Sequence, residues 1–264
     1  MTINPYQLPA TEEIQLVGGS AAVGGTLQDG IEGNYDFSII DVLLEAWQKT
    51  DGIKSTFFFA VLVYIVIVVG IGLIFSMADH AILEAGMREG MSSSMIEIIG
   101  SIMAFLQYIF KFIVSLPILV GITMIGVYRS VDMPVRFSIA FDYFEYTIPI
   151  VIAAILTSVL VALGLVLLII PGIYLIIAYL LTQPLIVEKN LGPWEAMEAS
   201  RKAINHHWFK VFLTYFIMVI IYLISILPLG IGLIWTAPMM VNMRGILYRI
   251  MFGVEAARPE IVAR

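Results

Sequence analysis

The sequence predicts an all-α integral membrane protein. Six transmembrane helices are expected as three parallel two-span repeats, each preceded by a cytoplasmic interfacial helix. Composition is the first observation behind this reading. Of 264 residues, 60% are hydrophobic and 13% charged, and mean hydropathy is +0.97. A soluble domain has roughly 45–50% apolar and roughly 25% charged residues, so that class is excluded. The second observation is a set of long apolar stretches without the alternating polarity of barrel strands. The third is a proline motif that recurs in every second stretch.

Residues 1–36 hold Gly18, Gly19, Gly24, Gly25, Gly30 and Gly33 among polar residues. No apolar period runs through them, which predicts a disordered acidic cytoplasmic tail. They lack the basic and apolar regions of a signal peptide. The membrane domain is expected over 37–252, with repeats near 37–129, 130–190 and 191–252, followed by a short cytoplasmic tail at 253–264.

The first repeat opens with an amphipathic segment at 38–49. Ser38 suits the N-cap; Ile40, Leu43, Leu44 and Trp47 share one face, with Asp41, Glu45 and Gln48 opposite. Span one is 56–77 and span two 104–128. A helix over 95–128 would be about 51 Å long, more than a bilayer needs. Residues 95–107 are therefore expected at the outer surface, bending into span two, with Lys111 snorkelling at the outer boundary. Phe137-Ser138-Ile139 opens the second repeat. Span three covers 147–170, Pro171-Gly172 turns the chain, and span four covers 173–187. The third interfacial helix, 193–208, starts at Pro193, a good first helical residue. Trp194, Met197, Arg201, Ile204 and Trp208 share its face. Glu195 and Glu198 stand early and Arg201, Lys202, His206 and His207 late, matching the helix dipole. Span five, 209–227, leads through Pro228-Leu229-Gly230 to span six, 231–248. Gly70-Ile71-Gly72 inside span one reads as a close helix contact.

Orientation follows from the basic residues. Twelve of the 14 Lys and Arg fall on the side of both termini, and only Arg88 and Lys111 on the other. The positive-inside rule then puts both termini in the cytoplasm, with 78–103 and the two Pro-Gly turns outside.

The recurring motif is [Ser/Thr]-x-Pro-apolar-apolar-Val. It occurs as Ser115-Leu116-Pro117-Ile118-Leu119-Val120, Thr182-Gln183-Pro184-Leu185-Ile186-Val187 and Thr236-Ala237-Pro238-Met239-Met240-Val241. Proline frees a carbonyl one turn back and kinks the helix, and a neighbouring hydroxyl helps satisfy the freed groups in lipid. Ser115, Pro117, Thr182, Pro184, Glu188, Thr236, Pro238, Asn242 and Arg244 are thus the candidate kink or cavity residues. Ionisable groups at membrane depth are functional candidates by default, and a Glu188–Arg244 pair is one reading. Snorkelling of each group from its helix end is the other. Trp47, Trp194, Arg201, Lys202, His206, His207 and Trp208 are the candidate interfacial residues. For the two histidines, a pH-sensitive contact with anionic lipid stands beside a simple helix-end dipole role.

Chemistry is bounded by what is missing. The net charge of −6 leaves no electrostatic footprint for nucleic acid. With no cysteine, thiol catalysis and thiolate metal sites are excluded. Asp79, His80 and Glu84 form at most a sparse metal set, with Glu84–Arg88 pairing as the alternative. No hydrolase, metalloprotease or nucleotide-binding signature occurs. No enzyme, no cofactor and no metal are expected.

Ile170-Pro171-Gly172-Ile173, then Pro184-Leu185-Ile186-Val187-Glu188-Lys189-Asn190-Leu191-Gly192, then Glu195-Ala196-Met197-Glu198-Ala199-Ser200 resembles the YciC-like family of uncharacterised six-span bacterial inner-membrane proteins. The likeness is best over 145–250. It implies a bacterial plasma-membrane location and supplies no catalytic residues. The functional expectation is a non-enzymatic envelope scaffold or accessory subunit that associates with phospholipids and other membrane proteins. The alternative is a transporter or exporter of a small solute or lipid, with a cavity at the three kinks. Charge sharpens one point. Residues 1–54 carry eight acids and two lysines, while 55–264 are balanced at twelve each. A basic cytoplasmic partner is therefore expected for the acidic leader.

Overall fold

A computed structural model of the chain describes residues 22–255. Its body is all-helical, and five helices are long and apolar enough to cross a membrane. Two of them form a long antiparallel hairpin, α3 (Lys54–Arg88) and α4 (Ser93–Ser130). At 1.5 Å per residue these run about 52 and 57 Å, well beyond a hydrocarbon core of about 30 Å. The stretch at 95–107, expected at the outer surface and bending into span two, is part of one continuous helix, α4. Ser92 caps α4 by accepting from the Met95 N–H, so the helix starts before the amphipathic stripe and carries it along.

Next comes a pair of 3₁₀ turns at Phe137–Phe141 and Phe144–Tyr146, then α5 (Thr147–Leu167), α6 (Ile169–Ala178) and α7 (Thr182–Glu188). The chain turns at Leu168, whose extended backbone separates α5 from α6; Pro171-Gly172 lies inside α6. Leu180 and Leu181 fall in the break between α6 and α7, one turn before Pro184. The remaining helices are α8 (Pro193–His206), α9 (Trp208–Ile226) and α10 (Leu233–Phe252). The turn at Pro228-Leu229-Gly230 is present, with Leu229 and Gly230 both at positive φ.

The core sits between α4 and α10. From Ile118 to Val127, all of α4 except Leu119 is buried, as are Met239, Met243, Ile246 and Leu247 of α10. Gly126 and Gly245 mark the crossing. A Cβ on Gly126 would stand 2.2 Å from the Val241 carbonyl oxygen, and one on Gly245 would stand 2.2 Å from that of Gly126. The Gly70-Ile71-Gly72 expectation holds only at Gly72, which meets α4 side chains. Gly70 faces open space, and Gly72 leaves room for the Lys111 ammonium, 3.0 Å from where its Cβ would stand. Lys111 therefore lies against α3.

The expected disordered tail is corrected for its described part; residues 1–21 lie outside the described residues. Ala22–Val23 (β1) pairs antiparallel with Val254–Glu255 (β2). This pairing also orders the start of the segment read as a C-terminal tail; 256–264 lie outside the described residues. Helix α1 (Leu27–Glu32) follows β1, with Thr26 accepting from the Asp29 N–H as its N-cap. The described glycines of this segment, Gly24, Gly25, Gly30 and Gly33, serve close approach. A Cβ on Gly24 would meet the Arg249 carbonyl oxygen at 2.3 Å, and one on Gly30 the Met251 oxygen at 2.7 Å. The leader thus lies flat on the end of α10. Tyr35 Oη donates to the Ala203 carbonyl at 2.7 Å, which ties it also to α8.

Charge follows the same route. Lys210 Nζ donates to Asp36 Oδ1 at 2.5 Å, and Arg249 holds both Glu45 oxygens at 2.7 and 2.8 Å. Two acids of the leader, Asp36 and Glu45, are thus paired with bases of the same chain. The Lys210 contact holds the Asp36 carboxyl below its ordinary value. A depressed carboxylate stabilises the fold above its unfolded pKa of about 3.9, and that contribution is lost as pH falls through the lower folded value. Hydrogen exchange of residues 33–37 is expected to accelerate below about pH 4 in the wild type. In Asp36→Asn this step should be absent.

Candidate functional site

The predicted kink residues converge, but as packed groups. Pro117 and Pro238 lie inside α4 and α10, while Pro184 is the third residue of α7. All three are buried, as are Thr182, Thr236, Glu188 and Asn242. Ser115 is half-buried on α4. The hydroxyls do not serve as expected. Thr236 Oγ1 donates to the Gly232 carbonyl at 3.2 Å, not to the Ile234 carbonyl that Pro238 frees. Thr182 Oγ1 has no partner. Asn242 donates from Nδ2 to the Ala46 carbonyl at 3.3 Å, joining α10 to α2 (Ile39–Gln48), and leaves its Oδ1 unpartnered.

The Glu188–Arg244 pair is corrected. Glu188 Oε2 accepts from Tyr248 Oη at 2.6 Å, and Oε1 accepts from the Glu255 N–H at 2.9 Å. Lys189 Nζ lies 3.2 Å from Glu188 and 3.5 Å from Glu255. Arg244 points elsewhere. Its Nη2 donates to the Leu180 carbonyl, its Nη1 stands 3.5 Å from Thr123 Oγ1, and its Nε is buried without a partner. Tyr215 of α9 lies within electrostatic reach of that guanidinium, and its buried hydroxyl also has no partner. The sequence reading missed Thr123 and Tyr215. A lone Thr and Tyr inside apolar runs carry no pattern, and only the fold sets them around Arg244.

The interfacial candidates divide. α2 has Ser38 as its N-cap, as expected, with Oγ accepting from Asp41 N–H. It buries Val42 and Ala46 and exposes Ile40 at 68%, Leu44 at 54% and Trp47 at 50%. Trp194, at the start of α8, is 64% exposed. Arg201 and Lys202 are engaged by Glu198, at 2.7 and 3.5 Å; its carboxyl is lowered chiefly by the Arg201 hydrogen bond. The histidines face the leader rather than lipid. His206 Nε2 lies 3.0 Å from the Ile31 carbonyl and His207 Nε2 2.9 Å from the Tyr35 carbonyl, so each ring donates. Trp208 stacks on Phe212 and donates to the Tyr174 carbonyl at 3.3 Å. Tyr174 Oη also reaches Asn205 at 3.2 Å. Tyr174 is two residues beyond Gly172, so the α5–α6 turn and the end of α8 are much closer than a bilayer core of about 30 Å. The expectation that they face opposite sides is corrected, because α6 folds back along α8.

On the long hairpin, Phe75, Ser76, Asp79, Gly100, Met103, Ala104 and Gln107 line a cavity of about 150 Å³. Asp79 Oδ1 is buried there without a partner. No metal-binding group of three ligands occurs among the described residues. Glu84 and Arg88 stand 3.9 Å apart, both well exposed. Comparison with protein-family models, curated proteins and solved structures returned no match. The YciC-like resemblance therefore rests on the residues quoted for it.

Proposed function

We propose that this chain is a non-enzymatic, lipid-associated scaffold or accessory subunit of the bacterial inner membrane, the location implied by its resemblance to the YciC-like proteins. The carrying observation is α2. It stands outside the long helices, buries one face on the chain, and leaves Ile40, Leu44 and Trp47 uncovered. An exposed apolar helix face beside membrane-crossing helices is suited to the headgroup boundary or to another membrane protein. Trp194 adds a second anchor of the same kind.

The finer architecture we propose is six membrane-embedded segments, α3, α4, α5, α6–α7, α9 and α10, with both termini cytoplasmic. Element order supports three units, each a short elbow followed by helices: two in the outer units, the second bearing the proline motif, and three in the middle one, α5, α6 and α7, with the motif in α7. In the middle unit α6 folds back along α8, and Val166 to Ile170 at its tip are exposed and apolar. We place that tip within the hydrocarbon.

Mild-detergent purification followed by mass spectrometry tests the scaffold reading. Lipid or a membrane-protein partner is expected to co-purify, and Leu44→Glu with Trp47→Glu to reduce it several-fold. A chain that emerges alone, monomeric and lipid-free overturns the reading. Transport is the second reading, favoured by the unpartnered polar atoms of Thr182, Asn242, Arg244 and Tyr215. The burial of all three kink prolines weighs against an open path.

A further inference from the structure

We propose that Arg244 and Tyr215 form a binding site for a phosphate group at the junction of α4, α9, α10 and the α6–α7 break. Arg244 has no carboxylate within ion-pair distance among the described residues. Its nearest acidic candidate by sequence, Glu188, is taken by Tyr248, Lys189 and the Glu255 backbone. A guanidinium withdrawn from water requires a counter-charge or a full set of acceptors. Among the described residues two acceptors serve it, the Leu180 carbonyl and Thr123 Oγ1. Thr123 cannot also serve a ligand as donor, because its proton goes to the Leu119 carbonyl at 3.0 Å.

Two donors remain. Arg244 Nε and Tyr215 Oη are both buried and unpartnered; they sit on helices α10 and α9, which pack against each other, within electrostatic reach of one another. A phosphate oxygen accepts from both an arginine N–H and a phenol, and its charge answers the guanidinium. Depth agrees with such a ligand. Tyr215 is seven residues into α9 and Arg244 eight from the end of α10, about 10–12 Å from those ends at 1.5 Å per residue. Basic pockets between helices near the cytoplasmic surface hold lipid headgroups in this way. The phosphate belongs to a phospholipid headgroup or to free inorganic phosphate. The inference deepens the lipid-associated reading and rests on it for the choice of lipid as the first source.

The test uses the full chain, delipidated in mild detergent and followed by thermal unfolding. Probes are dioleoylphosphatidylglycerol, dioleoylglycerol with the same tails and no phosphate, and sodium phosphate against sodium chloride at equal ionic strength. In the wild type, Tm should rise with phosphatidylglycerol and not with dioleoylglycerol. Arg244→Gln should weaken the response at least tenfold in apparent affinity. If sodium phosphate alone raises Tm and Arg244→Gln removes the effect, the site stands and its ligand is free phosphate. An unchanged response in Arg244→Gln, or no response of the wild type to either phosphate source, overturns the site. Should Arg244→Gln fail to fold, Tyr215→Phe decides by the same criterion. Failure here is separable from failure of the scaffold reading. Leu44→Glu with Trp47→Glu reports on overall lipid and partner retention and leaves the Arg244 response intact.

Discussion

Replacing Gly126 by leucine is expected to stop the chain accumulating as a folded protein. Helices α4 and α10 meet backbone to backbone at this residue, and a Cβ there would lie 2.2 Å from the Val241 carbonyl oxygen. That contact is with main chain, so no rotamer change relieves it. Overpacking a core typically costs about 1–3 kcal/mol even where side chains can move. Against a total stability of about 5–15 kcal/mol, Gly126→Ala should cost about 3 kcal/mol and Gly126→Leu more. Gly245→Leu should behave alike, because its Cβ would meet the Gly126 carbonyl oxygen at the same 2.2 Å. Gly70→Leu is the matched control, with nothing within 4 Å of its Cβ position. Yield of monodisperse protein in detergent and its Tm measure the effect. Equal yields for Gly126→Leu and Gly70→Leu would show that the crossing does not hold the core.

The contrast between those glycines shows what was legible in the sequence. Hydropathy located the long helices because lipid demands internally bonded backbone; six spans were expected, and five helices are long and apolar enough to cross, α10 not among them. Caps were legible where they are local, as at Ser38. Contact between distant segments was not. Gly70-Ile71-Gly72 carries the more suggestive pattern, yet Gly126 and Gly245, 119 positions apart, make the crossing. The leader was misread for a related reason. Few apolar residues and many glycines describe a disordered chain equally well as one lying flat on another backbone, and only the surface of α10 decides between them. At the candidate site, Glu188 and Arg244 drew attention as ionisable residues in apolar runs. Their partners, Tyr248, Leu180, Thr123 and Tyr215, depend on how four helices meet.

Glu188 is expected to be the most sensitive carboxylate in the chain, for a structural reason. Its side chain is 5% exposed and that of Lys189 9%. It accepts from Tyr248 Oη and from the Glu255 N–H. It therefore joins α7 to α10 and to the β1–β2 pair that anchors the leader. Removing one partner of a buried pair leaves the other desolvated, at a cost of about 3–5 kcal/mol. Glu188→Ala should lose that much, since it strands the Tyr248 hydroxyl and leaves Lys189 only Glu255 at 3.5 Å. Glu188→Gln keeps an acceptor for Tyr248 and should lose less, about 1–2 kcal/mol for the weakened hydrogen bonds. A double-mutant cycle with Tyr248→Phe is expected to show coupling of about 1–3 kcal/mol. Reversing both Glu188 and Arg244 should rescue nothing, because the two do not touch. Rescue in that double variant, or additive effects of Glu188→Ala and Tyr248→Phe, would place the Glu188 side chain elsewhere. Coupling without rescue makes Glu188 the clasp between the membrane helices and the leader, and leaves Arg244 free for an anion from outside the chain.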